Sequence, residues 1–200
     1  MARVPSAAPH LGILWCAGYS SIKPVQFCVS GVVSQMLSLR HNPEPGTGQA
    51  RLSPTSLVHI SLRNHLCVVA LRSQYGRAFH LGTLVRTMFE CFYLYEAGYG
   101  DADPAVFSRA DAELGSLSLL ALEQNRYFLS EPGFRAAVSL LELYDRQLQH
   151  TPLQSLIKAC EKADRNFRAE ETKRMPMEAL VQRLRSLRAM GVRRAGKNCA

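Results

Sequence analysis

Histidine is the side chain best suited to proton transfer and metal ligation near neutral pH, so the six histidines are a natural starting point. His59 and His65 share one helical segment but stand six positions apart, on different faces. Paired ligands would need i, i+4 spacing. His80 opens the following helix. Zinc sites gather their ligands at close, regular spacing, and no such set of His, Cys, Asp and Glu occurs, so no metal and no other cofactor is expected.

Arg63-Asn64-His65 bears comparison with α-helical ribonucleases, whose sites pair an Arg-polar dipeptide with a histidine further along the same helix. Here the corresponding position is Val69. A nuclease or toxin-type protein would therefore need a composite site, joining His65 or His80 to Arg63 or Arg77 across helices. Asp101 and Asp103 read as the turn and cap of a helix rather than a metal pair, since a helix N-terminus favours negative charge. Glu90 and Glu96 lie on one helix without an identifiable second group for acid–base work. No serine sits in a G-x-S-x-G elbow, and Gly98-Tyr99-Gly100 follows a helix rather than a strand, the wrong context for cradling phosphate. No catalytic residue is assigned.

A helix-turn-helix can be laid over Gln74, Ala78, Gly82, Met88 and Cys91. Its recognition helix would carry one basic residue in a run of apolar ones, unsuited to a wet anionic groove. A buried core helix is the better reading.

Cationic residues near the carboxyl end are the stronger feature. Through Ile157 the chain has 12 Lys and Arg against 11 Asp and Glu; from Lys158 onward it has 12 against 5. Most of the net charge of +8 thus falls in the last fifth. Lys162, Arg165 and Arg168 recur at helical spacing, and Lys173 and Arg174 follow. Arg183, Arg185 and Arg188 share the last helix with its apolar stripe, and Arg193, Arg194 and Lys197 lie beyond it. Each can neutralise a phosphate without reading sequence. The expected partner is a nucleic acid or, alternatively, an acidic protein gripped by a basic amphipathic helix.

A composition of 47% hydrophobic and 20% charged residues suits a buried core, and 200 residues suit one domain with tails. Cys67, Cys91 and Cys160 fall in apolar helical patterns and, with Cys16, Cys28 and Cys199, form no C-x-x-C pair. Free buried thiols and a cytoplasmic, reducing setting are expected. No stretch reaches the roughly 20 apolar residues of a membrane span. Residues 1–52 read as a flexible extension with a short β-like run at 25–33; the absence of Asp and Glu before Glu44 also fits translation starting at Met36.

Ser53-Pro54 starts a first helix running to about Ser73. A second, apolar nearly all round, spans about Ala78 to Ala97 and stops at Gly98 and Gly100. A third follows Asp103-Pro104 and reaches Tyr127 with a bend at Gly115. The fourth opens at Ser130; the fifth starts at Thr151, where Gln154 completes a capping box; the last runs from about Pro176 to Met190 and ends at Gly191. The expectation is an all-α, compact bundle of five to six helices over residues 53–170, with a basic amphipathic helix and tail at 171–200.

Residues 56–103, SLVHISLRNHLCVVALRSQYGRAFHLGTLVRTMFECFYLYEAGYGDAD, together with LLELYDRQL at 140–148, resemble a group of short proteobacterial proteins labelled Fis-family transcriptional regulators. The resemblance implies a bacterial, DNA-associated regulator, and no functional residue carries over from it. The function expected is a non-enzymatic regulatory protein bound to nucleic acid through its basic end. A protein adaptor docking through its final helix is the alternative, and a helical ribonuclease the third reading.

Overall fold

The computed structural model describes residues 50–73 and 75–197, except the side chains of residues 171 and 191–197. The expected β-like run at 25–33, nearly all of the N-terminal extension, Cys16, Cys28 and Cys199 lie outside the described residues. Over those residues the chain is all-α.

Helix α1, Pro54–Arg72, begins as its caps require: the Ser53 hydroxyl accepts the Ser56 N–H at 3.1 Å. Gly76 ends the following turn, and a Cβ there would collide with the Tyr127 carbonyl oxygen. Helix α2, Ala78–Glu96, is capped by the His80 ring, whose Nδ1 accepts the Arg77 N–H at 3.0 Å. Gly98 and Gly100 adopt the positive φ that releases the chain from it.

Helix α3, Ala105–Gln124, continues through Gly115 as expected. It stops short of Tyr127, because Asn125 turns left-handed at φ 52°. Helix α4, Glu131–His150, is capped by Ser130, whose hydroxyl accepts the Gly133 N–H at 3.0 Å.

Helix α5, Leu153–Arg168, lacks the expected capping box. The Thr151 hydroxyl instead donates backwards to the Gln147 carbonyl at 2.6 Å. A short 3-10 turn, Glu171–Lys173, leads to α6, Met177–Lys197. Gly191 does not end α6; a glycine inside a helix costs about 1 kcal/mol relative to alanine, which flanking helix formers can absorb.

The apolar girdle of α2 puts it at the centre, against α1, α3, α4 and α5, while α1 and α3 also pack on α4 and α6 lies on α3. Phe89, Phe92, Met88, Leu84 and Leu94 are fully buried. Phe92 meets Phe107 of α3 edge to face at 5.3 Å. Met177, Leu180, Val181 and Leu184 of α6 are buried too, so the apolar stripe of the last helix is spent in the core. Cys67, Cys91 and Cys160 are free and buried, as expected.

One charged network crosses this core. Glu90 of α2 accepts from Arg86 Nε at 2.7 Å and from the Tyr144 hydroxyl of α4 at 2.8 Å. Arg86 also meets Asp164 of α5 at 2.7 Å. Burial, reinforced by the Glu90 charge, pushes the Tyr144 phenol and the Cys160 thiol well up. Among the described residues no helix is long and apolar enough to cross a membrane.

Candidate polyanion-binding surface

Cations from two helices meet over the C-terminal end of α2. Lys162 of α5 and Arg183 of α6 take the two oxygens of Glu96 at 2.9 and 2.6 Å. Burial raises the Glu96 carboxyl, but the hydrogen bonds from Lys162 and Arg183 outweigh it and hold the group below the usual carboxylate range. Lys162 also stands 5.4 Å over the Tyr93 ring. Arg188 lies 4.5 Å over Tyr95 and donates to its hydroxyl at 2.6 Å. Burial and Glu96 raise the Tyr93 phenol, while Arg183 and Arg165 act in the opposite sense. Lys162 and Arg183 therefore meet on one carboxylate, with Arg188 on the neighbouring Tyr95.

The remaining candidates divide. Lys173 pairs with Glu170 at 2.7 Å. Arg174 donates to the Phe167 and Ala169 carbonyls at 3.1 and 3.3 Å and serves the α5–α6 turn. Arg165 and Arg168 are exposed along a shallow groove that Glu161 and Asp164 also line, and Arg185 is exposed on α6. These three hold no ion pair with the described residues. Arg193, Arg194 and Lys197 fall on the final turns of α6, where only the backbone is described. Every residue from 185 to 190 is exposed, so this half of α6 carries its cations beyond the packed core. After Glu178 the sequence contains six cations and no carboxylate.

Sequence reasoning considers Glu96 only for acid–base work and passes over Tyr93 and Tyr95. Lys162 and Glu96 lie 66 positions apart, and only the packing of α5 on α2 joins them. An i, i+3 count cannot see such a pair.

The histidines divide: His65 pairs with a carboxylate, while His59 and His80 share one groove with Arg63. His65 Nε2 meets Asp145 Oδ2 of α4 at 2.9 Å, beside the Ser61 hydroxyl donating to the same oxygen at 2.9 Å. His80 instead lines a groove of about 330 Å³ with His59, Arg63 and Cys67, walled by Leu62, Leu66 and Phe79. Its Nδ1 is committed to the α2 cap. The overlaid recognition helix is α2 itself, whose buried Leu84, Val85, Met88 and Phe92 cannot enter a groove of DNA. Among the described residues no group of three or more His, Cys, Asp and Glu side chains could hold a metal ion.

Compared with protein-family models, curated proteins and solved structures, the chain matches none.

Proposed function

We propose that this protein is a non-enzymatic regulatory protein that binds nucleic acid through phosphate contacts made by α5 and α6. The observation that carries the reading is the meeting of Lys162 and Arg183 on Glu96 with Arg188 stacked on the adjacent Tyr95. The cations run on along a helix without carboxylates after Glu178. The bundle acts as a rigid mount, since the apolar stripe of α6 is anchored on α3. The binding is electrostatic and sequence-tolerant: cations displace condensed counterions from the backbone, and among the described residues no recognition element reads base edges. A bacterial DNA-associated role accords with the resemblance of residues 56–103 to proteins labelled Fis-family regulators.

Fluorescence anisotropy of the full chain with a labelled duplex, titrated in salt, tests the reading. Six phosphate contacts give a slope of log K on log salt of about −5, and each contact removed takes about 0.9 from it. Arg165→Glu with Arg185→Glu, both exposed and unpaired among the described residues, lowers affinity at least about tenfold and flattens the slope by about 2. Absence of binding at low salt, or an unchanged slope in the double variant, rejects the proposal.

The adaptor reading keeps one observation in its favour. Leu187 and Met190 are 51% and 55% exposed on the distal half of α6, among its cations. An acidic amphipathic partner would bind there with affinity lost on Leu187→Asp.

A further inference from the structure

Helix α1 is apolar on both sides. Ile60, Cys67, Val68 and Leu71 face the core, yet Val58, Leu62, Leu66 and Val69 are 61%, 53%, 55% and 57% exposed. These four follow one another at spacings of 4, 4 and 3 and so form a single outward row. The groove floored by Cys67 and walled by Phe79 of α2 runs alongside. Isolated surface leucines are ordinary, but a contiguous row on one helix marks an interaction face. The row is neutral: α1 contains no Asp or Glu, and the cations Arg63 and Arg72 are drawn to Asn64 and Glu131 beside it.

The position where the earlier chain enters identifies the occupant. The Ala50 carbonyl accepts the Leu153 N–H at 2.7 Å, which pins residue 50 at the foot of α1, four positions before Pro54. Forty-nine residues precede it. Within them Val25, Val29, Val32, Met36 and Leu39 repeat at spacings of 4, 3, 4 and 3, and no charged residue falls between Val25 and Leu39. The stretch is as apolar and as neutral as the row it would meet. Residues 40–49 can reach about 33 Å when extended. Val58 to Val69 spans only about 17 Å of helix, so the tether serves either direction of approach. A short tether supplies an effective concentration near millimolar, which favours the chain's own segment over a second copy.

We propose that the outer face of α1 is the seat of residues 25–39 of the same chain, docked along Val58, Leu62, Leu66 and Val69. The proposal is independent of nucleic-acid binding, which uses the surface of α5 and α6.

Hydrogen exchange of the full-length protein tests it. Amides of residues 25–39 exchange at least about tenfold more slowly than in an unstructured peptide of that sequence. Leu62→Asp with Leu66→Asp removes this protection, and so does Val32→Asp from the other side. Both substituted leucines are outward-facing, and an unchanged melting temperature and helical circular dichroism confirm that the bundle persists. Protection stays constant as the protein is diluted. Unprotected residues 25–39 in the parent chain overturn the proposal. So does protection that survives the α1 variants, or protection that fades on dilution alongside a dimer in sedimentation, the mark of a second copy on this face.

Discussion

Glu90 and Glu96 stand six positions apart on α2, yet they teach opposite lessons about charge. Glu90 is 5% exposed and is held by Arg86 and Tyr144 inside the bundle, where Arg86 links onward to Asp164. Its partners are fixed, and withdrawing one strands a charge away from water. Glu96 sits at the helix end with Lys162 and Arg183, both nearly half exposed. There water can replace either partner, so the pair contributes little to stability and chiefly tunes the charge presented outward. Depth, not residue type, separates structural cement from a candidate binding surface.

Arg86→Ala is the severest way to break this contrast. It leaves Glu90 and Asp164 without their cation, and urea denaturation is expected to show a loss of about 3 kcal/mol. A third carboxylate sharpens the comparison by having no cation at all. Asp111 on α3 is 9% exposed, and its Oδ1 is buried without a hydrogen-bond partner. Burial, with Glu178 adding like charge from α6, pushes it up to about 7. Its neutral form is the one folding favours. The contribution of Asp111 to stability is therefore greatest below the ordinary carboxylate range and is lost as pH rises from about 4 to about 7. Asp111→Asn is expected to flatten that dependence and to add about 2 kcal/mol at pH 8, read from denaturation at several pH values. Glu96→Gln is the mildest change. Stability should move by less than about 1 kcal/mol, while duplex affinity rises about threefold because Lys162 and Arg183 are released. Weaker binding in that variant would show that the carboxylate positions the cations rather than masking them.

Much of the bundle was legible because periodicity and caps are local. Ser53, Ser130 and the apolar girdle of α2 each act within one or two turns, and the structure places them where the pattern does. The misreadings share a cause. Thr151 and Gly191 read as a cap and a stop, but Gly191 lies inside a continuous helix and the Thr151 hydroxyl bonds backwards to Gln147. Such residues permit a break without dictating one. The cations of the candidate surface were readable from composition, whereas the carboxylate and tyrosines beneath them were not. Those contacts cross from α2 to α5 and α6. The outward row of α1 was hidden in another way, because a helix apolar on both sides has no one-sided periodicity to reveal which side is left open.

Two connections at one end of the bundle are bound together. The Leu129 N–H donates to the Leu71 carbonyl at 2.8 Å, Arg72 donates to the Leu129 carbonyl at 3.0 Å, and Gly76 presses on Tyr127. At the opposite end, Gly98 has nothing within 4 Å of the place a side chain would occupy. A spliced epitope, a fluorescent reporter or a new pair of chain termini should therefore be accommodated at residue 98. The same graft between residues 73 and 77 would pull apart the joint that sets how the helices are arranged.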